Sequence, residues 1–215
     1  MSTASASMVD VAFAIDGRAV PRDHGRSLAE AVLARLPWLA DTVGAGVHPI
    51  RVAAGSGAQA LLSGRSRLTL RVPRGRVEAL RALGGAVLDV GGTRLVVQGA
   101  PQLRELLPHG TLYAHSVAAE SDDELAFVAA VDAEMAALGV AGRRICGRLR
   151  HLDDGAQRRP AFGLMLDGLS PPDALRLLEH GLGAHRLWGC GLFVPHRSAA
   201  AMVWTISSPK SGSSR

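Results

Sequence analysis

Hydrophobic residues in the first half of the chain follow two periods, one typical of strands and one typical of helices. Residues 9–15 alternate along a strand, whereas 27–39 repeat leucine and valine at helical spacing, which predicts an amphipathic helix. The further predicted elements are, in order, strands over 47–53 and 67–72, a second helix over 74–83, and a hairpin over 86–97 that turns at Gly91 and Gly92.

The second half repeats this order more loosely. Its predicted elements are a strand over 112–119, a helix over 122–138, a strand over 143–149, a turn at 153–155, a strand over 161–166, a helix over 171–179 and a strand over 192–194. Asp122 and Asp123 suit the positive end of the first helix, and Ser170 is the expected cap of the second. The order strand, helix, strand, strand, helix, strand therefore occurs twice, which predicts an α+β fold of tandem ferredoxin-like (RRM-like) domains with a C-terminal glycine-rich loop.

The predicted domain boundaries follow the segments whose residues interrupt helices and strands. An N-terminal ferredoxin-like domain is expected over 1–100, a linker over 101–110, a C-terminal ferredoxin-like domain with the glycine-rich loop over 111–197, and a tail over 198–215. The tail ends in a composition typical of disorder, although 199–206 is apolar enough to dock or to add an edge strand. Such a fold hosts many functions and decides none by itself.

The most informative segment is 181–195, GLGAHRLWGCGLFVP. Glycines such as Gly183 and Gly189 allow close approach of another chain, while His185, Arg186 and Trp188 offer charge and a stacking face, so the loop is a candidate cradle for a phosphodiester. The alternative is a turn that needs its glycines for packing before the last strand.

The charge of the chain supports the interpretation of this loop as a cradle for a phosphodiester. The 215 residues carry a formal charge of +5 with 47% hydrophobic residues, and Lys210 is the only lysine, so almost all positive charge is guanidinium, which binds phosphate in a fork. A GC-rich genome would also favour arginine. Aromatic residues make up only 4%, which argues against a platform that stacks several bases and leaves shape and backbone as the expected basis of recognition.

Neither a metal site nor export is expected. Cys146 and Cys190 have no zinc-ligand spacing and form no disulfide framework, so the chain is expected to need no metal or other cofactor and to work in a reducing cytoplasm. Residues 1–8 do not resemble a signal peptide, and no apolar run is long enough to cross a bilayer, so no membrane partner is expected.

A family resemblance rests on four segments that follow one another along most of the chain. Segment 181–195 resembles the glycine-rich loop of the CRISPR-associated endoribonucleases of the RAMP superfamily that cut precursor CRISPR RNA within its repeats. PRDHG at 21–25, GVHPI at 46–50 and SRLTLRVP at 66–73 resemble motifs of the subgroup from myxobacterial type I systems. The resemblance implies paired ferredoxin-like domains that bind a hairpin repeat RNA, cut it on the 3′ side of the hairpin without metal, and stay with the product among other effector-complex subunits.

A metal-independent cut uses the ribose 2′-hydroxyl as nucleophile and leaves a 2′,3′-cyclic phosphate, so it needs a base, an acid and cationic charge on the phosphorane. Histidine suits the proton transfers. His24, between Arg22 and Arg26, is the preferred candidate, and His48, at the start of a predicted strand, is the other. The alternative for His48 is a partly buried ring bonded to backbone.

Ala40 departs from the pattern that the resemblance implies, because relatives carry a histidine there, and they carry tyrosines where this chain has Arg26 and Ala29. If that histidine is the base, the chain binds RNA without cutting it, is an inactivated variant, or uses His24 or His48 instead. Cleavage is the preferred expectation.

An arginine-rich strand supplies the predicted groove for a hairpin stem. Alternate members of the strand would share one face, with Arg158 and Arg159 across the turn. The strand residues concerned are Arg143, Arg144, Arg148 and Arg150, followed by His151. The alternative is a solvated edge that arginine protects from aggregation.

The histidines taken as structural or surface residues are His109, His115, His180 and His196. Two other classes stay open, a non-catalytic RNA-binding subunit of an effector complex and a metabolite-binding regulatory module.

Overall fold

The fold was examined in a computed structural model that describes residues 6–53 and 57–196. The tail predicted over 198–215 lies outside the described residues. The elements of the first half are β1 (Met8–Asp16), β2 (Ala19–Pro21), α1 (Gly25–Leu33), β3 (Gly46–Val47), β4 (Gln59–Leu61), β5 (Arg67–Pro73), β6 (Val87–Val90) and β7 (Thr93–Glu105). Those of the second half are β8 (Thr111–Ala118), α2 (Glu124–Leu138), β9 (Arg143–Asp153), β10 (Arg158–Asp167), α3 (Pro171–His180) and β11 (Val194–Pro195).

Each half builds one antiparallel sheet. The first has the strand order β3-β5-β1-β7-β6 and the second β11-β8-β10-β9, while β2 and β4 pair by themselves. The second order places the first strand of the half beside its third and fourth, which is the ferredoxin-like arrangement. The first half repeats it with β7-β1-β5-β3 and adds β6 as a hairpin on β7. The prediction of tandem ferredoxin-like domains is therefore confirmed.

The helix ends follow the predicted capping. Asp123 accepts hydrogen bonds from the backbone N–H groups of Leu125 and Ala126 at the start of α2, and Ser170 accepts one from Asp173 at the start of α3. Each cap satisfies donors that a helix leaves without partners in its first turn. No helix in the described part of the chain is long and apolar enough to cross a membrane.

Three predicted elements were wrong in extent. The helix expected over 74–83 is two 3₁₀ turns, Arg74–Arg76 and Glu78–Leu83, in which Gly75 weakens helix formation and the buried Leu80 and Leu83 lie three residues apart, as a 3₁₀ period requires. The strand expected over 47–53 ends at Val47, because Pro49 has no N–H for a ladder. The first helix ends at Leu33, four residues before Pro37.

The linker expected over 101–110 is wrong in its first half, because β7 continues to Glu105 beside β1. The two strands pair Ala14 with Gln98 and Ala12 with Gln102, so Pro101 lies at a register irregularity. A proline is tolerated there because no regular ladder bond is lost. The division into domains stays a prediction.

Two apolar cores lie under the two sheets, and both use β1. Val9, Val11 and Phe13 are buried in the core of the first half, whereas Met8 packs into that of the second. The two halves therefore share a seam at the start of β1, and the candidate site lies along this seam.

Candidate active site

Two clefts open between the two halves of the molecule. The first cleft, about 430 Å³, has walls from β1, β5 and β7 on one side and from β8 on the other. The second cleft, about 670 Å³, lies between the turn before α1 and strands β8 to β10. The residues that line both are Pro49, Ile50, Val52, His115 and Gly189. The segment after β3 thus forms a common wall, and each cleft is large enough to hold a nucleotide.

A buried arginine joins the halves behind the first cleft. Arg71 of β5 is 1% exposed and forms a two-pronged pair with Asp10 of β1, with N–O distances of 2.7 and 2.9 Å. Its Nη1 donates to the carbonyl oxygens of Leu178 and Phe193 in the second half, at 2.7 and 3.1 Å. A buried guanidinium needs such partners, since leaving it without them is costly. Arg71 is therefore an internal tie between the two halves.

His48 continues this network into the first cleft. Its Nε2 lies 3.2 Å from Oδ1 of Asp10, and its side chain is 12% exposed. Burial acts to raise the pKa of Asp10, but hydrogen bonds from Arg71 and His48 outweigh it and hold that pKa well below the usual range. Asp10 is therefore an ionised acceptor, so Nε2 of His48 carries the proton.

The other ring nitrogen of His48 is consequently the basic one. Burial lowers the pKa of His48, Asp10 acts in the opposite direction, and the nearby Arg71 and Arg186 lower it further, so the ring is neutral at pH 7. Its Nδ1 has no hydrogen-bond partner among the residues that the structure describes. A carboxylate that fixes the tautomer of a histidine and leaves the far nitrogen unprotonated is the arrangement of a general base.

His24, the preferred candidate from sequence, has backbone partners at both ring nitrogens. Its Nδ1 lies 2.9 Å from the carbonyl oxygen of Pro21 and must donate, and its Nε2 accepts the backbone N–H of Ile50 at 3.0 Å. The residue is 5% exposed, and burial lowers its pKa. With both nitrogens bonded, His24 ties the turn before α1 to the common wall of the clefts. These contacts favour a structural role for His24, and its assignment as the catalytic residue stays a prediction.

Both flanking arginines of His24 also have protein partners. Nε of Arg26 donates to Glu30 at 2.7 Å and its Nη1 bonds the carbonyl oxygen of Asp154, so Arg26 holds the β9–β10 turn rather than a phosphate. Nε of Arg22 donates to the carbonyl oxygen of Gly57 at 3.0 Å, and Arg22 lines the second cleft. The turn before α1 thus closes one end of that cleft. The prediction that Arg22 and Arg26 bind RNA stays a prediction.

Arginine dominates the charged groups of both clefts. The first is lined by Arg51, Arg67 and Arg104, and the second by Arg22, Arg150 and Arg158. The two lining carboxylates are bonded, Asp10 to Arg71 and Asp23 to the backbone N–H of Asp153 at 2.7 Å. Nε of Arg150 is buried without a partner in the described part of the molecule. This excess of cationic groups favours an anionic ligand such as an RNA backbone.

The arginine row on β9 does not form one face. Its pairing with β10 shifts between Phe162 and Leu164, where β9 holds an extra residue, so alternation is broken after Cys146. Before the bulge, Arg144 pairs with Asp132 of α2 at 2.8 Å and Arg143 with Asp167 at 2.7 Å. After it, Arg150 lines the second cleft. The groove predicted from all four strand arginines stays a prediction, with Arg143 and Arg144 paired to carboxylates and Arg148 exposed on the same strand.

The glycine-rich segment packs mainly against the protein. A Cβ at Gly189, whose φ is +90°, would lie 2.7 Å from the ring of Pro49, and one at Gly183, φ +72°, would lie 3.1 Å from Val117. The backbone N–H of Gly183 donates to Glu134 at 2.7 Å. The close approach that requires Gly189 is thus to the common wall of the clefts. This observation favours the alternative of a turn that needs its glycines for packing, and contact of Gly189 with RNA stays a prediction.

Arg186 points inward from the same loop. Its guanidinium donates to the carbonyl oxygens of His180, Gly44 and Glu179 at 2.5, 2.7 and 3.1 Å. Burial, with a smaller effect from Arg71, lowers its pKa to about 10. These donors hold the loop to the body, and the prediction that Arg186 supplies charge to RNA stays a prediction. His185 and Trp188 stack on each other with ring centroids 4.3 Å apart and stay partly exposed as a small aromatic platform.

A match to a protein-family model shows which family the chain belongs to. A family model described as Cas6 Crispr matches residues 9–198. The chain belongs to the Cas6 family. The resemblance identified in the sequence is confirmed.

Individual relatives of the Cas6 family agree with this. The chain is 38% identical over 193 residues to the CRISPR-associated endonuclease Cas6 of Myxococcus xanthus strain DK1622, covering 89% of this chain and 83% of that protein. Two solved structures share the fold. A CRISPR associated protein Cas6 matches with a TM-score of 0.66 at 12% identity, over 88% of this chain and 100% of its own. A Cas6-related protein from Pyrococcus furiosus matches with a TM-score of 0.59 at 13% identity, over 87% and 98%.

Ala40, the position where the Cas6 resemblance implies a histidine, is exposed after the 3₁₀ turn Pro37–Leu39. It lines a small cleft of about 340 Å³ together with residues 183–188 of the glycine-rich segment. No residue lines both this small cleft and the first cleft. The glycine-rich segment runs from one to the other, since residues 183–188 line the small cleft and Gly189 lines the first. Whatever chemistry this Cas6 chain performs, the methyl group of Ala40 supplies no proton carrier to it.

His115, predicted from the sequence to be a structural or surface residue, lines both the first and the second cleft. On β8, Leu112 and Ala114 are buried while Tyr113 and His115 alternate with them, so period two places the latter pair on the opposite face. Their ring centroids are 6.4 Å apart. That alternation was the available signal. Among the described residues, no cluster of three or more His, Cys, Asp or Glu side chains is placed to hold a metal ion.

Proposed function

We propose that this Cas6 family chain is an endoribonuclease that cleaves precursor CRISPR RNA within the repeat and leaves a 2′,3′-cyclic phosphate. The observation that carries the proposal is the Asp10–His48 pair, because Asp10 holds Nε2 of His48, leaves Nδ1 unprotonated, and His48 lines a cleft that arginines also line. Membership of the Cas6 family supports the substrate class.

The reaction follows from the groups that line the first cleft. Nδ1 of His48 takes the proton of the ribose 2′-hydroxyl as its oxygen bonds to phosphorus, and the bond from phosphorus to the 5′-oxygen breaks. Asp10 stabilises the imidazolium that results, as a carboxylate does behind a catalytic histidine. Arg67 and Arg104 lie on the same cleft and offset the negative charge that builds on the phosphorane. No step requires a metal ion.

The second cleft is the proposed path of the rest of the repeat. Arg150 and Arg158 offer cationic groups for a backbone, and the exposed Arg148 on β9 extends them, so a hairpin stem is the partner that this surface suits. The stacked His185 and Trp188 suit an unpaired base beside the stem. Retention of the product and assembly with other effector subunits belong to the same proposal, as does the division into domains over 1–100 and 111–197.

The test is incubation of the protein with its cognate repeat RNA in EDTA, with analysis of the product ends. We expect one cut with a 2′,3′-cyclic phosphate and a 5′-hydroxyl. A matched RNA with a single 2′-deoxy nucleotide at the cut site should bind equally well and stay intact, because it lacks the nucleophile. Binding without any cut in the all-ribose RNA would instead identify a non-catalytic subunit, and a cut in the 2′-deoxy RNA would exclude this mechanism.

A further inference from the structure

We infer that His115 is the second proton-transfer residue of this site, the general acid that protonates the leaving 5′-oxygen. This inference rests on the proposed function. His115 lies on the wall that β8 of the second half contributes, whereas His48 lies on the wall of the first half, and both line the same cleft of about 430 Å³. Attack and departure take place on opposite sides of a phosphorane, so an acid and a base from facing walls suit them.

His115 is the ring best placed to meet a strand that occupies both clefts. It lines the first and the second cleft, and the residue as a whole is exposed. No described residue forms a hydrogen bond with its ring nitrogens, so both remain available to a substrate. A histidine at the junction of two arginine-lined clefts faces the phosphate that spans them.

The neighbouring titratable groups are less suitable. Tyr113 lines the first cleft alone and its ring lies 5.6 Å from that of His196. His151 lines the second cleft alone and its Nε2 is bonded to Asp122 at 3.0 Å. His24 has both nitrogens bonded, as described above. His115 is the candidate without a competing partner in the described part of the molecule.

The charge around His115 changes when a phosphate enters. In the free protein, burial and the cation of Arg150 lower the pKa of His115. The other charged groups of the two clefts are mainly arginines, from β5, β7 and β10 and from the segments beside them. A bound phosphodiester offsets these cations and favours the imidazolium, which is the form that an acid needs.

The proton balance then closes between two histidines. His48 takes the proton of the 2′-hydroxyl while the bond from its oxygen to phosphorus forms. His115 donates its proton to the 5′-oxygen while the bond from phosphorus to that oxygen breaks. The products are the cyclic phosphate, the 5′-hydroxyl, a protonated His48 and a neutral His115, which solvent returns to their starting states.

The experiment compares two RNAs that differ only at the leaving atom. One is the ordinary repeat and the other carries sulfur in place of the 5′-oxygen at the cut site, because a thiolate leaves without a proton. We expect His115→Gln to slow single-turnover cleavage of the ordinary RNA by about 10²- to 10⁴-fold and that of the sulfur-containing RNA by roughly tenfold at most. His48→Gln should slow both RNAs, since the nucleophile still needs its base.

Controls separate an acid from a structural residue. RNA affinity and thermal unfolding of His115→Gln should match those of the wild type, since the ring has no hydrogen-bond partner among the described residues, and His109→Gln, which lines neither cleft, should cleave normally. Equal slowing of both RNAs by His115→Gln, or no slowing of either, overturns the assignment while the proposed function stands. Failure of the wild type to cleave the ordinary RNA overturns both.

Discussion

The turn before α1 and the segment after β3 each bring a buried histidine to the seam between the halves, yet they use it differently. The His24 ring has a carbonyl on one nitrogen and a backbone N–H on the other, whereas the His48 ring has a carboxylate on one nitrogen and no described partner on the other. A histidine with two backbone partners fixes a loop, and one held by a carboxylate alone keeps a basic nitrogen. Flanking charge, which favoured His24 in the sequence, does not distinguish the two.

The largest expected effect is a difference in cleavage rate between variants of these two histidines. We expect His48→Gln to slow single-turnover cleavage of repeat RNA by about 10²- to 10⁴-fold with affinity within a few-fold, and His24→Gln to cleave near the wild-type rate wherever it is folded. The rate of the wild type should fall as pH drops through the pKa of His48, which burial places below the ordinary 6.5. A normal rate in His48→Gln alongside a lost rate in His24→Gln would reverse the comparison.

The second largest expected effect is a loss of unfolding free energy when the ion pair between Arg71 and Asp10, behind His48, is broken. Arg71→Met leaves Asp10 buried without its main partner, and breaking a buried ion pair on one side costs about 3–5 kcal/mol of unfolding free energy. Chemical denaturation checks this. The matched control is Arg65→Met, an exposed position for which we expect a change within about 0.5 kcal/mol. Equal stability of the two variants would show that Arg71 does not hold the halves together.

A smaller effect should mark His24 as structural. His24→Gln is expected to lower the unfolding free energy by about 1–3 kcal/mol, because the N–H of Ile50 loses its buried acceptor. Burial lowers the pKa of His24 in the folded state, so the unfolded chain binds the proton first and stability falls as pH drops below about 6.5. The variant should lose part of that decline between neutral and mildly acid pH. An unchanged profile would show that the His24 ring is not held as a neutral group.

The smallest effect tests which β9 arginines face RNA. Arg150→Ala should weaken repeat binding and reduce the slope of log affinity against log salt by about 0.7–0.9, the share of one phosphate. Arg144→Ala should leave that slope unchanged, because its guanidinium pairs with Asp132 on the helix side of the sheet. Binding titrations over a range of salt measure both. A larger slope change for Arg144 would contradict the face assignment.

Much of the fold could be predicted because it depends on local periodicity. Alternation along β1, β5, β8 and β10 and the caps at Asp123 and Ser170 all act within a few residues. The 3₁₀ turns near Gly75 were missed because tertiary packing of two leucines, rather than propensity, sets their period.

The candidate site could not be predicted in the same way, because it is formed by contacts between residues that lie far apart in the sequence. Arg71 donates to carbonyl groups more than a hundred residues away, and Arg186 donates to that of Gly44, so both arginines connect distant parts of the chain. The bulge in β9 reversed the faces of its arginines. His115 alone could have been found earlier, from the alternation of β8, because period two already separates it from the buried residues.

The central claim is that His48, and not His24, presents a basic nitrogen to RNA. Nitrogen NMR of the histidine rings during titration with repeat RNA that carries one 2′-deoxy nucleotide at the cut site tests it directly. We predict a His48 ring that is protonated on Nε2 and whose Nδ1 resonance moves as RNA binds, with both His24 resonances unchanged. A His24 ring that responds to RNA while His48 stays unaffected would contradict the account.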